Sequence, residues 1–453
     1  MIGLGTMGRN LLLNMADHGF NVTGHDRDPE KVEALGKEGK IEGFSDLSTF
    51  ISRLNKPRAV MMLVPAGEIV DNVIDDLVPL LDEGDLIIDG GNSYFKDTDR
   101  RFQQLKEKNI HFFGIGISGG EEGARKGPSM MPGGDKQAYG VVQNIFEAVA
   151  AKVNGEPCVT YLGPGACGHF VKMVHNGIEY GIMQLLSEVY SLMKTELGLS
   201  NDEIHKAFKN WNEGRLNSFL VEITSEIFLK KDDLSEHMLI DMISDQARSK
   251  GTGKWTSQLA MDLQVPVPTI DMAVAMRDLS KYKDIRKDIE GHYTDPSGSA
   301  STLTLDDLEQ ALFFTTIMSY AQGMHMLHVA SEAYDYGLDM GAIARIWRGG
   351  CIIRAELLHT ISKAYEQNPG LEHLLLDDAV QGLVSGAIDG LRKTISSAAL
   401  TGIGTPALSA SLTYFDMIRK GNMPSNLIQA QRDFFGAHTY ERTDREGKFH
   451  TEW

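Results

Sequence analysis

The segment between residues 172 and 180 carries side chains that could do acid–base chemistry. It reads Lys172-Met-Val-His175-Asn176-Gly-Ile-Glu179-Tyr180, so a base, an imidazole, an amide and an acid stand at positions i, i+3, i+4 and i+7. A helix turns by about 100° per residue, which places these four polar side chains on one face. The pattern predicts a catalytic stripe, a term we use for Lys172, His175, Asn176 and Glu179. A solvated helix face with an incidental acid and base would have the same spacing, so the choice depends on the motifs upstream.

The first eight residues match a nucleotide-binding fingerprint. Gly3-Leu4-Gly5-Thr6-Met7-Gly8 opens the first predicted helix, where glycines permit a tight turn and let a pyrophosphate approach backbone N–H groups. Asp26 follows at the end of the next predicted strand, near the spacing expected for an acid that binds a ribose hydroxyl. Together these features predict a bound dinucleotide cofactor. Which cofactor stays open, because Asp26 should repel the 2′-phosphate of NADP whereas the adjacent Arg27 could pair with it.

The composition is that of a globular protein with several domains. The chain has 453 residues, of which 42% are hydrophobic, and this is enough for more than one core. A formal net charge of −18 argues against nucleic acid or an anionic membrane as a partner. The cysteines at 158, 167 and 351 lack the spacing of a metal site or a disulfide framework, and the chain shows neither a membrane span nor a signal peptide. These features predict a cytoplasmic protein with no metal site.

Short apolar runs alternate with amphipathic helical patterns over the first 165 residues. This alternation is typical of an α/β fold with a Rossmann-like, doubly wound parallel sheet. Because only Met1 and Ile2 precede the fingerprint, we expect most of the first strand to be missing, as an upstream start would explain, and the centre of the sheet to be incomplete. The candidate strands are residues 20–26, 59–64, 85–89, 111–116 and 157–162, and candidate helices are residues 66–81 and 136–151.

Long helical patterns replace the strands from about Gly168 to Lys420, and they predict a large all-helical domain. The runs 187–190 and 198–199 are echoed by 331–334 and 337–338, which indicates two related helical units, each ending near a tryptophan (Trp211 and Trp347). The residues after Pro424 are too few to form their own core, so we expect this C-terminal tail to dock on a partner subunit. The predicted domains are residues 1–165, 166–423 and 424–453.

Further polar residues follow predicted strands. Residues 89–93 include Asn92, and residues 117–120 read Ile-Ser118-Gly119-Gly120. Because the carboxyl ends of parallel strands face the ligand crevice, these side chains and amides could bind polyol hydroxyls or a carboxylate, although each could also be an ordinary turn. The loop 250–255 fails the pattern of a P-loop, but its Lys250 and Lys254 could meet a substrate anion.

Six motifs in this order resemble those of the long-form, decarboxylating 6-phosphogluconate dehydrogenases, and the resemblance runs through essentially the whole chain. The motifs are residues 3–8, 88–93, 116–125, 172–180, 250–255 and 431–440. The resemblance implies oxidation of 6-phosphogluconate at C3 with NADP, followed by loss of CO2 to give ribulose 5-phosphate. It also implies a homodimer that acts in the oxidative pentose phosphate pathway and in gluconate utilization.

The resemblance implies roles for individual residues. Lys172 would be the general base and Glu179 the general acid, because burial can lower the pKa of a lysine enough for it to accept a proton near neutral pH. The implied substrate-binding residues are Asn92, Ser118, Gly119, Gly120, His175, Asn176, Tyr180, Lys250 and Arg277, with Arg432 and His438 supplied by the tail of the partner subunit. The implied cofactor-binding residues are Gly3, Leu4, Gly5, Thr6, Met7, Gly8, Asp26, Arg27, Asp28, Val64, Pro65, Ala66 and Asn92.

Two positions depart from the usual pattern of the NADP-using members. Asp26-Arg27-Asp28 stands where Asn-Arg-Thr is usual, and Val64-Pro65-Ala66 stands where Val-Lys-Ala is common. Both changes make the site less positive and favour NAD, but Arg27 is retained, so NADP is placed first with NAD as the alternative. Two other functions stay open: another β-hydroxyacid dehydrogenase acting on a different sugar acid, and a catalytically silent nucleotide-binding sensor.

Overall fold

The computed structural model describes residues 1–38, 41–294, 296 and 302–453, and it begins with a twisted sheet between layers of helices. The strands of this sheet are β1 (Thr23–His25), β2 (Glu42–Phe44), β3 (Ala59–Met62), β4 (Leu86–Asp89), β5 (His111–Ser118) and β6 (Ser129–Gly134). Their order is β2-β1, then Ile2, then β3-β4-β5-β6, and all pairs are parallel except β5 with β6. The accompanying helices are α1 (Thr6–Asp17), α2 (Pro29–Lys37), α3 (Leu47–Ser52), α4 (Glu68–Leu77), α5 (Phe95–Lys106), α6 (Gly120–Lys126) and α7 (Lys136–Val149). The predicted fold class is confirmed.

Ile2 occupies the position of the first, central strand. It forms parallel bridges to both His25 and Met62, and its amide donates to the Met61 carbonyl at 2.7 Å. The Leu63 amide returns a bond of 2.8 Å to the Ile2 carbonyl, and Ile2 is only 5% exposed. The central strand is as short as the sequence predicts, yet this one residue still joins the two halves of the sheet.

The strand predicted at residues 157–162 forms only in part. Val159 makes an isolated parallel bridge to Met130 of β6, and the Leu162 amide donates to the Pro132 carbonyl at 2.9 Å. Before it, β7 (Lys152–Val153) and β8 (Glu156–Pro157) form a small antiparallel hairpin, whose tight turn has φ values of 55° at Asn154 and 84° at Gly155.

Two strands of the sheet, β2 and β6, were not predicted from the sequence. β2 has three residues, which is too few to show a hydrophobic period. β6 contains a proline and two glycines, residues that are usually read as a turn, although all six of its residues are buried. β6 also runs antiparallel to β5, which an alternation of strands and helices does not reveal.

A helical region follows from residue 167. Its helices are α8 (Cys167–Thr195), α9 (Asn201–Asn212), α10 (Phe219–Ile227), α11 (Leu239–Met242), α12 (Thr252–Asp262), α13 (Pro268–Ser280), α14 (Lys283–Glu290), α15 (Leu305–Ala333), α16 (Met340–Ile346), α17 (Leu357–Gln367), α18 (Asp378–Ser385), α19 (Ile388–Thr401) and α20 (Pro406–Ile418). In the part of the chain that the structure describes, no helix combines the length and apolar character needed to cross a membrane.

Helices α8 and α15 form the centre of this region. Each has 29 residues, and they approach so closely that a Cβ at Gly323 would lie 2.5 Å from the Ile178 side chain. Each is followed by a glycine with positive φ, 64° at Gly198 and 60° at Gly337, and then by a further helix. This correspondence supports the predicted pair of related helical units.

The C-terminal tail folds on itself around a buried carboxylate. It contains α21 (Ser425–Gly436), β9 (Tyr440–Glu441) and β10 (Lys448–Phe449). Asp433 accepts hydrogen bonds from residues 439, 451 and 453 and pairs with His450 at 2.9 Å. Burial alone would raise the pKa of Asp433, but these donors outweigh it and lower the pKa to about 2. Phe434 and Phe435 of the same helix are 68% and 73% exposed, so the tail presents an apolar surface.

Candidate active site

The catalytic stripe lies on α8 and is largely buried. Lys172, His175 and Asn176 are 6%, 0% and 8% exposed, and the side chain of Glu179 is 21% exposed. The Nδ1 atom of His175 lies 3.2 Å from Lys172 Nζ and 3.1 Å from Asn176 Oδ1. The same atom is 3.9 Å from Glu179 Oε2. The stripe is therefore a connected, buried cluster and not a solvated helix face.

Glycines let α8 pack directly on the sheet. A Cβ at Gly116 of β5 would lie 2.3 Å from the Cβ of Lys172, and a Cβ at Gly114 would lie 2.5 Å from the ring of His169. On the helix, a Cβ at Gly168 would lie 2.5 Å from the Gly114 carbonyl oxygen. Distances this short leave no room for a side chain. Glycine at these positions thus brings Lys172 against the carboxyl end of β5.

Burial shifts the pKa values within the stripe in opposite directions. Desolvation lowers the pKa of the Lys172 amine, and the charge of Glu179 opposes this only in part. Burial raises the pKa of Glu179 in spite of the positive charges of Lys172 and Arg277. For His175, burial and then the charge of Lys172 lower the pKa well below its ordinary value, so the imidazole is neutral near pH 7. A base with a lowered pKa and an acid with a raised pKa are suited to proton transfer near pH 7.

Ser118 connects the sheet to the stripe. It ends β5, is 3% exposed, and its Oγ lies 3.2 Å from Nε2 of His175. The backbone amide of Ile352 donates to the same Oγ at 3.4 Å. The next residue, Gly119, has a φ of 117°, and a Cβ there would lie 2.5 Å from the Gly350 carbonyl oxygen. The loop around Gly350 therefore forms a wall of the site, and Gly120 follows at the start of α6.

This wall was missed by reasoning from the sequence. Besides residues 350–352 it includes Trp347, which is fully buried and packs edge-on against His175 with ring centroids 5.6 Å apart. The available signal was the Gly349-Gly350 pair two residues after the repeated tryptophan, because consecutive glycines often mark a close approach of two backbones. A Cβ at Gly350 would lie 2.5 Å from the Gly127 carbonyl oxygen.

Tyr180 and Arg277 lie next to the Glu179 end of the stripe. Tyr180 is 7% exposed, and a Cβ at Gly253 of α12 would lie 2.3 Å from its ring. The guanidinium of Arg277 on α13 lies 3.4 Å from the centroid of the same ring. Lys250 is exposed and lies just before α12, the helix on which Tyr180 packs. Asn92 is exposed in the loop between β4 and α5.

The glycine fingerprint forms an open cradle at the start of α1. Gly3 has a φ of 90°, and a Cβ there would lie 2.5 Å from the Leu63 carbonyl oxygen. A Cβ at Gly8 would lie 1.9 Å from the Gly3 carbonyl oxygen, whereas one at Gly5 would meet nothing within 4 Å. Two glycines tighten the turn, and the third leaves the N-terminal amides of α1, at Thr6 and Met7, open to a ligand. The cradle fits the pyrophosphate of a dinucleotide.

A cavity of about 490 Å³ extends from this cradle, with Asp26, Arg27, Val64 and Pro65 among its lining residues. The carboxylate of Asp26 accepts hydrogen bonds from the amides of Leu4 (2.8 Å) and Asp28 (3.0 Å). Burial acts to raise its pKa, but these bonds together with the nearby Lys31 lower it, so Asp26 carries a negative charge.

Arg27, the residue that could receive a 2′-phosphate, is already paired. Its Nη2 lies 2.6 Å from Asp76 Oδ2, with 75% of the Arg27 side chain exposed. An exposed pair of this kind is weak, so Arg27 can exchange its partner for a phosphate. Ala66 is exposed beside this cavity, directly after Pro65.

Comparison with known proteins leads to the same assignment. Residues 1–163 match the family model of the NAD binding domain of 6-phosphogluconate dehydrogenase, and residues 168–453 match the model of the C-terminal domain of that enzyme. The chain belongs to the 6-phosphogluconate dehydrogenase family. The resemblance identified from the motifs is thereby confirmed.

Individual members of the family match over their full length. The NADP(+)-dependent, decarboxylating 6-phosphogluconate dehydrogenase of Bacillus subtilis is 50% identical, and the match covers 100% of this chain and 98% of the relative. The decarboxylating 6-phosphogluconate dehydrogenase of Lactococcus lactis is 48% identical with the same coverage. The solved 6-phosphogluconate dehydrogenase of Plasmodium falciparum superposes with a TM-score of 0.96 at 45% identity, covering 100% of this chain and 99% of the other.

Arg432 and His438, two residues predicted to bind the substrate of this dehydrogenase, lie on the tail. Arg432 donates to Gln429 at 3.1 Å, and the ring of His438 packs on Phe435 with centroids 5.9 Å apart. Both side chains are exposed. Their neighbours within the chain belong to the tail itself, so the expected contribution to a partner subunit stays a prediction.

We expect Gly116→Ala to impair both stability and turnover. The new Cβ would collide with Lys172, so α8 must shift away from β5, and overpacking of this kind costs about 1–3 kcal/mol of unfolding free energy. A displacement of about 1 Å at the base would reduce kcat by roughly 10²-fold. Denaturant unfolding and steady-state kinetics measure the two effects. Gly140→Ala in α7 is the control, because a Cβ there meets nothing within 4 Å; equal behaviour of the two variants would contradict the packing argument.

Proposed function

We propose that the protein catalyses the oxidative decarboxylation of 6-phosphogluconate to ribulose 5-phosphate and CO2, with NADP as the electron acceptor. The proposal is carried by a buried lysine of lowered pKa and a glutamate of raised pKa on one face of α8. They lie in a chain that matches decarboxylating relatives over its whole length. The product is a pentose phosphate, which assigns the reaction to the oxidative pentose phosphate pathway and to gluconate utilization.

The first step is oxidation at C3. Neutral Lys172 removes the proton of the 3-hydroxyl as a hydride leaves C3. NADP, when bound in the fingerprint cradle, supplies the hydride acceptor. His175 is neutral, and in the tautomer with the proton on Nε2 its Nδ1 accepts a hydrogen bond from protonated Lys172 while its Nε2–H donates to Ser118. In this tautomer the side-chain amide of Asn176 turns its NH2 group toward Nδ1. This arrangement orients the amine without adding a second positive charge.

The second step is loss of CO2 from the resulting 3-keto acid. The bond between the carboxylate and C2 breaks, CO2 leaves, and the bonding electrons move toward the C3 carbonyl to form an enediolate. Protonated Lys172 stabilises the negative charge that develops on the C3 oxygen. Glu179 then protonates the carbon that becomes C1 of ribulose 5-phosphate, and its raised pKa favours the protonated form that this step needs.

The remaining predicted residues hold the sugar acid. Asn92, Ser118 and Asn176 offer hydrogen bonds to its hydroxyls and carboxylate, together with the amides of Gly119 and Gly120. The phosphate is held by Tyr180, Lys250 and Arg277. The positive charges of Lys250 and Arg277 give a protein of net charge −18 a local site for an anion.

The assembly we propose is a homodimer in which each tail completes the other subunit's active site. The support is the exposed apolar surface of α21, where Leu427 and Ile428 are 62% and 60% exposed in addition to Phe434 and Phe435. Arg432 and His438 project from the same helix and the turn that follows it, which suits them to reach a substrate phosphate on the partner. We expect this dimer in the cytoplasm, where its three buried, free cysteines would stay reduced.

The function is tested by initial rates with 6-phosphogluconate, following reduced cofactor by absorbance and CO2 by trapping. Equimolar NADPH and CO2 are expected. Turnover of unphosphorylated gluconate at a comparable rate would indicate a different sugar-acid dehydrogenase. Folded protein that binds NADP but does not turn over would indicate a silent sensor.

We expect Asp26→Asn to shift cofactor preference toward NADP. The substitution removes a negative charge at the edge of the cofactor cavity, where a 2′-phosphate would be repelled, and should raise the NADP/NAD ratio of kcat/KM by about tenfold. Asp17→Asn changes the net charge equally but at a residue paired with Arg125, outside the lining of this cavity, and should leave the ratio unchanged. An unchanged ratio in Asp26→Asn as well would mean that the 2′ position does not face Asp26.

A further inference from the structure

Arg101 of α5 is a buried cation that the proposed chemistry does not use. It is 1% exposed, and its Nε and Nη2 atoms each lie 2.8 Å from a carboxylate oxygen of Asp71 on α4. Its Nη2 also donates to the Gly67 carbonyl at 3.0 Å. Gly67 directly follows the cofactor loop at residues 64–66 and has a φ of 95°. Arg101 therefore holds the far end of that loop and the first turn of α4.

The other edge of the same guanidinium faces the substrate loop, the name we use for residues 89–93, which include Asn92. Arg101 Nη1 lies 3.6 Å from Oδ2 of Asp89, which is fully buried at the end of β4. Asp89 in turn accepts hydrogen bonds from the amide of Gly91 at 3.0 Å and the hydroxyl of Ser93 at 2.6 Å. These bonds close the loop on both sides of Asn92. Removal of Arg101 would leave the buried carboxylate of Asp89 without its cation in a low-dielectric interior, whereas Arg101 would still be paired with Asp71 if Asp89 were removed.

Helix α5, which carries Arg101, also contacts α8, the helix that carries Lys172. Thr98, one turn earlier on α5, has its Oγ1 2.7 Å from Nδ1 of His169. His169 is 2% exposed and lies three residues before Lys172 on α8. The two loops touch as well, because a Cβ at Gly91 would lie 3.1 Å from the Val64 carbonyl oxygen. One segment of α5 thus links the cofactor loop, the substrate loop and the base-bearing helix.

We propose that Arg101 is a positioning residue for hydride transfer. By donating a hydrogen bond to Gly67 and forming a close ion pair with Asp89, it sets the distance between the bound nicotinamide and the C3 atom of the substrate. A guanidinium can do this because its donors form a rigid planar fork, whereas a lysine amine at the same place could satisfy only one of the two loops. This inference rests on the proposed function of the site.

The test compares Arg101→Lys and Arg101→Met with Arg100→Lys and Arg100→Met. Arg100 is the matched control, because it also reaches Asp71 at 2.8 Å, but from the surface with its side chain 45% exposed. The Arg101 variants should lose about 10²-fold in kcat/KM and raise the KM for NADP. They should also raise the deuterium isotope effect measured with 6-phosphogluconate labelled at C3, because misalignment makes hydride transfer more rate-limiting. The Arg100 variants should stay within about twofold of the wild type in all three quantities.

A merely structural role would give a different result. It would lower the melting temperature and the active fraction in the Arg101 variants while leaving KM and the isotope effect unchanged, and that outcome would overturn the proposal. If Arg101→Met does not fold, Arg101→Lys and Asp89→Asn decide the question by the same quantities. Calorimetry of NADP binding in the absence of substrate does not depend on turnover, so it tests the role of Arg101 separately from the proposed function. Absence of turnover in the wild type refutes the function, and undiminished NADP affinity in Arg101→Lys then refutes the positioning role.

Discussion

Lys172→Met is expected to reduce kcat by about 10²–10⁴-fold, the usual contribution of a general base. Methionine fills a similar volume but can neither accept the 3-hydroxyl proton nor stabilise the oxygen of the enediol. Because Lys172 is 6% exposed, replacing it by an apolar side chain should not destabilise the fold. Stopped-flow and steady-state measurements of NADPH formation give the loss, and thermal unfolding checks that the variant is folded.

Lys194→Met is a matched control on the same helix. Lys194 lies in the last turn of α8 and binds Asp241 at 3.0 Å near the surface, far along the helix from the stripe. Its replacement should leave kcat unchanged.

In the wild type, kcat/KM should rise with pH through a pKa below the ordinary value for lysine, because the base must be deprotonated and burial favours its neutral form. A Lys172→Met enzyme with more than a tenth of wild-type activity would remove Lys172 from the role of base.

Arg432→Ala is expected to weaken substrate binding through the partner subunit. Loss of charged hydrogen bonds to a phosphate costs about 1.5–3 kcal/mol, which corresponds to a rise of roughly 10–100-fold in the KM for 6-phosphogluconate. Cofactor affinity should be nearly unchanged. Arg445→Ala is the control, because Arg445 is also in the tail but pairs with Asp444 at 3.0 Å. An equal loss of substrate and cofactor affinity would contradict a phosphate contact.

Mixed dimers test whether the contribution crosses the interface. In a dimer of one Lys172→Met chain and one Arg432→Ala chain, one of the two sites combines an intact Lys172 with an intact Arg432 if the tail serves the partner. Random mixing of equal amounts should then restore about a quarter of wild-type activity at low substrate, since half of the dimers are mixed and each has one intact site. If each tail serves its own subunit, mixing restores no intact site, and activity at low substrate stays at the average of the two variants.

The features that could be predicted from the sequence depend on local spacing. The period of about 3.6 residues in an α-helix was sufficient to group Lys172 with Glu179, and the structure places both on α8. The alternation of strands and helices, together with the glycine fingerprint, predicted the confirmed fold class. The strand predicted at residues 157–162 forms only in part, as a bridge of Val159 to β6, because its pairing depends on a distant strand that the apolar run does not reveal.

The sequence by itself determined which chemical groups the protein carries and on which local elements they lie. Only the tertiary structure decided how those groups behave. The lowered pKa of Lys172 and the raised pKa of Glu179 come from burial by distant segments, including the loop around Gly350 and the backbone of β5 at Gly116. The link from Arg101 to both ligand loops likewise joins residues far apart in the chain. Contacts of this kind depend on how helices and strands pack in three dimensions, and the periodicity of a single segment contains no information about its neighbours.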